Sequence, residues 1–255
     1  MDILLFNQII IYLINIVGIW IAFWVWFANR VAKVNKMFFL MTIFILLWID
    51  SSYLSSLSNQ IHLALFWVKV VFGAVSMFLV SAYFFVVYFP REEKRYPILD
   101  KVALGIGVIL GFISILTDLI VKNVEFKEWG VDLVFGVAWN SFYIIVAFFA
   151  FLVLGLLFKK YFKLPFQEKL KIQYFLVGFL IFSLMNLVFN VVFPLWRGSI
   201  RYNQFGSYSA ILLLIFTAYA ILKRELFGIK VVLTSLLIGT IGIVLALQIL
   251  IAPNT

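Results

Sequence analysis

The sequence predicts an all-α integral membrane protein: an antiparallel helical bundle of seven transmembrane helices plus an eighth C-terminal span, with a short extracellular β-hairpin between helices 4 and 5. Three observations carry that expectation. The 255 residues are 65% hydrophobic and only 12% charged, too little polar surface to cover a water-soluble globule. Eight apolar runs are long enough to cross a hydrocarbon core of about 30 Å, which takes roughly 20 residues of helix. Most of the 20 lysines and arginines sit in every second gap between those runs, a pattern that gives orientation by the positive-inside rule.

The runs span residues 3 to 28, 37 to 57, 63 to 89, 99 to 120, 135 to 158, 172 to 195, 206 to 226 and 231 to 251. Residues 1–226 therefore form a seven-helix bundle, and residues 227–255 a short connector and the eighth span. The basic gaps hold Arg30, Lys33 and Lys36; Arg91, Lys94, Arg95 and Lys101; Lys159, Lys160, Lys163, Lys169 and Lys171; and Lys223, Arg224 and Lys230. These gaps are expected on the cytoplasmic side, which puts the N-terminus outside a multi-pass protein of the inner (plasma) membrane. Between the fourth and fifth spans, Val124, Phe126, Val131, Leu133 and Phe135 alternate with polar or small residues around Gly130, the period of a strand pair. That hairpin is expected outside, as a lid or plug over the bundle. Short connections make neighbouring spans antiparallel. Gly107 and Gly111 allow another helix close approach, which internal packing explains better than a dimer contact.

Composition excludes several chemistries. The formal charge of +9 comes from juxtamembrane cations and points to the lipid bilayer as partner, with no nucleic acid. The chain has no cysteine and one histidine, His62, so no metal site, cofactor or thiol nucleophile is expected. Gly105, Gly107 and Gly111 lack the spacing and the preceding strand of a dinucleotide loop. No catalytic residue is expected.

Depth in the bilayer is the useful coordinate for the polar residues, because such groups are costly there. Asp50 and Lys69 each lie about 10 Å in from the outer helix ends at 1.5 Å per residue, so an ion pair between the second and third spans is expected. Asn186 and Asn190 share a face of the sixth span, Asn140 and Tyr143 occupy the outer third of the fifth, Tyr53 follows Asp50, and Trp67 lies near an outer end. These eight residues, Asp50, Tyr53, Trp67, Lys69, Asn140, Tyr143, Asn186 and Asn190, are the candidates for a ligand pocket open to the exterior. For each one, an interhelical hydrogen bond or register-fixing pair is the competing explanation.

The stretch Lys163 to Leu195, in which Gln173, Gly178, Asn186 and Pro194 are the matching positions, resembles the N-terminal seven-transmembrane sensor region of bacterial histidine kinases. Asn203 to Lys230, with Phe205-Gly206 and the run Ala218 to Lys223, is similar to that family's seventh span. Asn29 to Phe39 and Phe89-Pro90 fit more loosely. The resemblance implies a membrane-embedded input module of a two-component signal-transduction protein, a homodimer that detects an unknown small ligand and drives a cytoplasmic kinase or output domain in cis or trans. No kinase motif is present in these residues, and the eighth span would place Thr255 outside. A kinase would then need a ninth crossing. A small-molecule transporter, an accessory membrane subunit and a membrane enzyme are the alternatives, but paired helix breaks and clustered carboxylates are not evident.

Overall fold

A computed structural model describes residues 3–92, 97–127, 130–193, 196 and 203–222. The helices are α1 (Ile3–Ala28), α2 (Lys33–Leu57), α3 (Ile61–Tyr88), α4 (Pro97–Leu116), α5 (Trp139–Lys163), α6 (Phe166–Leu187), α7 (Asn203–Tyr208) and α8 (Ala210–Leu222). The hairpin is β1 (Val121–Lys127) and β2 (Gly130–Phe135). Helix α6 continues into a π-helical turn, Val188–Val192. Segments α7 and α8 together make the seventh span, and the described residues hold seven helices long and apolar enough to cross a membrane. The proposed eighth span, 231 to 251, lies outside the described residues.

Several boundaries differ from the apolar runs. Helix α2 starts at Lys33 and α6 at Phe166, because Lys, Asn, Gln and Glu are good enough helix formers to extend a helix past the hydrocarbon. Helix α4 ends at Leu116 and α5 begins at Trp139; the apolar residues in between belong to the hairpin and its base. Pro97 opens α4 and Pro165 is the cap of α6, positions where the missing N–H costs nothing. The turn from α1 to α2 closes on Asn29, whose Oδ1 accepts from the Val31 and Ala32 amides. Buried Asn35 donates to the Val25 carbonyl at 2.7 Å, satisfying one of the orphan carbonyls of α1.

Helix α3 is the hub, packing against α2, α4, α5 and the hairpin, while α6 packs on α8 and α1 on α2 and α8. The main core joins these layers through Phe38, Met41, Phe78, Phe85, Phe149, Phe175 and Phe182. The α3–α4 contact depends on small residues: a Cβ on Gly107 would lie 1.9 Å from Val80 Cγ2, and one on Gly73 2.7 Å from Ile115 Cδ1. The small-residue pair in α4 thus serves internal packing, as expected.

The hairpin pairs Val124 with Leu133 and Phe126 with Val131, antiparallel. Gly130 has φ of 135°, a region that L side chains rarely adopt. Its apolar face, Val121, Val124 and Val131, forms a second core with Ala64 and Val68 of α3 and Phe142 of α5. It therefore caps the ends of α3 and α5, as a lid would. The opposite end of the bundle carries the α1–α2 turn and the segment after α3, bridged by Lys33 to Glu92 at 2.9 Å.

Candidate functional site

The eight candidate residues do not form one cluster, and Tyr53 lies in the main core. At the hairpin end, the Asn190 carboxamide donates to Asn186 Oδ1 at 2.7 Å, and Asn186 donates to the carbonyls of Phe182 (2.8 Å) and Gly206 (3.2 Å). Gly206 is where α7 comes closest, since a Cβ there would lie 2.8 Å from Asn190 Nδ2 and 2.9 Å from Asn186 Oδ1. The π turn begins two residues after Asn186 and contains Asn190, and the Phe193 amide reaches back to the Val188 carbonyl. Such turns widen a helix, loosen its hydrogen bonding and are frequent at functional sites. The Tyr143 hydroxyl of α5 donates to the Asn190 carbonyl at 3.4 Å, a long bond that bridges α5 and α6. Tyr208 at the end of α7 donates to Asn7 of α1.

An aromatic chain links this polar cluster to the hairpin. Phe135 of β2 stacks on Trp139 with centroids 3.8 Å apart, and Trp139 meets Tyr143 edge-on at 4.6 Å. Tyr143, Asn186 and Asn190 therefore lie together, with Trp139, Gly206, Tyr208 and Asn7 around them. Asn140 does not join them: it is exposed one residue after Trp139.

The expected ion pair is not formed. Lys69 Nζ bonds Asp118 Oδ1 at 2.6 Å, and Asp50 Oδ1 accepts from Asn15 Nδ2 of α1, also at 2.6 Å. Helical spacing fixed the depth of each residue but not its azimuth. Lys69 follows Val68, which faces the hairpin core, whereas Asp50 looks toward α1. Asp118 precedes the hairpin, so its bridge ties the hairpin base to α3. With Asp118 69% exposed and Lys69 14% exposed, solvent screens much of the attraction. Asp118→Asn should cost about 1 kcal/mol or less, and exchanging Asp50 with Lys69 should lower folded yield in detergent below wild type, with no recovery from pairing. Trp67 packs edge-on against Phe66 at 5.1 Å, away from the Asn186 and Asn190 cluster. On the hairpin, the Glu125 carboxylate at 2.7 Å holds the Lys127 ammonium above its ordinary range.

One functionally placed residue escaped the sequence reading. Lys160, counted among the basic-gap cations, is 3% exposed. Its ammonium donates to the carbonyls of Val86 (2.8 Å), Val87 (2.8 Å), Phe89 (2.9 Å) and Arg91 (2.9 Å). It thereby fastens α5 to the end of α3 far from the hairpin. Also on α3, Tyr83 donates to buried Asp100 of α4 at 2.8 Å.

Among the described residues no group of His, Cys, Asp and Glu could hold a metal ion. No curated protein matches the chain. The family described as the N-terminal 7TM region of histidine kinase matches residues 10–230, which takes in all seven spans and the hairpin. The chain is a multi-pass membrane protein, and it belongs to this family of histidine-kinase input regions.

Proposed function

We propose that the chain detects a small apolar or amphipathic molecule at the hairpin end of the bundle and passes the signal along its helices to a cytoplasmic histidine kinase. In this reading the hairpin and the N-terminus face the exterior of the inner (plasma) membrane, and two copies work as a homodimer. The support for orientation is that the basic gaps gather at the end opposite the hairpin. The observation that carries the reading is the π turn at Val188–Val192, whose Asn190 carbonyl meets Tyr143 while its carboxamide meets Asn186.

A π turn is a helix with one residue to spare, and in this reading it shifts between two arrangements. A ligand that competes for Asn190 or Tyr143 would shift the balance between them only by its difference in affinity for the two. Trp139, Phe135, Phe189 and Phe205 supply the aromatic surface, and two carboxamides supply the few polar contacts, the usual make-up of a small-molecule site. Asp50, Tyr53, Trp67, Lys69 and Asn140 lie apart from this cluster and take no part in this reading.

Orientation is tested by single cysteines in this cysteine-free chain. Those at Asn59, Glu128 and Gly198 should label from outside intact cells, and those at Lys94, Phe166 and Arg224 only after permeabilisation. Reversed labelling would place the π turn at the cytoplasmic face and end the reading.

A further inference from the structure

The seam between α1 and α2 holds a charge that the hairpin-end cluster does not use. Asp50 lies about 10 Å from the end of α2 at 1.5 Å per residue, half-buried among the spans. Among the described residues, Glu92, Asp118 and Glu125 each face a lysine, but Asp50 has no cationic partner. Its one hydrogen bond comes from Asn15 Nδ2 at 2.6 Å, and the second hydrogen of that amide goes to the Ile11 carbonyl at 3.1 Å. Asn15 Oδ1 and the second Asp50 oxygen are therefore left as acceptors.

A second observation points to the same place. The Tyr53 hydroxyl is buried and has no hydrogen-bond partner, in a residue only 8% exposed. Residues three apart share a helix face, and helical side chains lean toward the N-terminal turn, so Tyr53 leans over the turn that carries Asp50. A buried hydroxyl is normally satisfied, and one left over marks a missing group. A carboxylate among membrane spans must be neutralised, by an opposite charge or by a proton, because one amide hydrogen bond does not offset its desolvation.

We propose that Asp50, Asn15 and Tyr53 form a binding site for a monovalent cation held between α1 and α2. Carboxylate, amide and phenol oxygens are hard donors, suited to an alkali ion and equally able to receive the hydrogens of a primary ammonium group. The bound charge neutralises Asp50 and satisfies the Tyr53 oxygen. This site is independent of the sensor reading above and would exist in a transporter or accessory subunit as well.

The test uses the whole chain in lipid nanodiscs at fixed pH and ionic strength, with thermal unfolding followed in sodium chloride, methylammonium chloride and N-methyl-D-glucamine chloride. Tm should rise with the logarithm of sodium or of methylammonium concentration, as ligand linkage requires, and not with the bulky glucamine cation. Whichever of the two small cations acts identifies the ligand as an alkali ion or an ammonium. Asp50→Asn should weaken the apparent affinity at least about tenfold, the effect of losing the site's only charge, and Tyr53→Phe should weaken it several-fold. Should Asp50→Asn give no folded protein, calorimetric titration of the wild type and of Tyr53→Phe with the same salts decides instead. Equal Tm in all three salts, or a cation response that survives Asp50→Asn, would overturn the proposal. Neither result would touch the role of Asn190 and Tyr143.

Discussion

Lys160→Met should destabilise the protein by about 3 kcal/mol or more, the largest effect expected from any single lysine in the bundle. The end of a helix leaves four carbonyls without intrahelical donors. At the end of α3 the deficit is aggravated by Pro90, which has no N–H to offer the Val86 carbonyl. The Lys160 ammonium shares its three hydrogens among the carbonyls of Val86, Val87, Phe89 and Arg91, at 2.8 to 2.9 Å. Methionine has a similar length and fills the space, but it leaves the buried Val86 and Phe89 oxygens without this donor. The control is Lys163→Met at an exposed position of the same helix, which should change stability by no more than about 0.5 kcal/mol. Unfolding midpoints in nanodiscs would measure both, and equal midpoints would show that water reaches the end of α3.

Gly136→Ala should cost about 3 kcal/mol and detach the base of the hairpin. A Cβ at this position would lie 2.2 Å from the Leu119 carbonyl oxygen and 2.3 Å from that of Asp118. Both obstacles are backbone, so no side-chain rotation relieves them, and overpacking of this kind costs at the upper end of its usual range. The shift would also strain the bonds from the Gly136 amide to Ile120 (2.9 Å) and from Ala138 to Leu119 (2.8 Å). Those two bonds hold β2 and the start of α5 to the strand-entry turn. Protease sensitivity confined to residues 117–138, with the spans intact, is the expected readout. A variant as resistant as wild type would mean that the hairpin base is looser than its geometry.

The contrast between Asp50 and Lys160 shows which parts of this fold the sequence made legible. Position along each helix was readable, because the seven spans followed from the length of the apolar runs and the strand pair from a period of 2. Azimuth was not. Asp50 and Lys69 share a depth yet face α1 and the hairpin base, and no local pattern in almost wholly apolar helices says which way a residue turns. Lys160 was hidden for a related reason: a buried ammonium and a solvated one look alike in a basic loop. A signal did exist in the proline after α3, which predicts unpaired carbonyls that some donor must meet. Asn186 and Asn190 were found because their spacing of four puts them on one face, but the π turn between Leu187 and Phe193 has no pattern in Val, Phe and Asn that announces it. Asn140 was grouped with Tyr143 by proximity in sequence, but Asn140 is exposed while Tyr143 is half-buried.

Helix α5 carries Tyr143 at the hairpin end and Lys160 at the other. Under the proposed function, a change at the Asn190 carbonyl would reach the end of α3 through this one helix. The most direct measurement is the basal autophosphorylation rate of the full-length kinase product in native membranes, for wild type, Asn190→Leu and Tyr143→Phe at equal membrane abundance. Asn190→Leu removes the bond to Asn186 and should shift the rate by about tenfold in either direction, the consequence of roughly 1.4 kcal/mol between two signalling states. Tyr143→Phe, which loses one long hydrogen bond, should shift it in the same direction by a smaller factor. Rates equal to wild type in both variants, with insertion and stability unchanged, would contradict the assignment of the π turn as the element through which this input region reports.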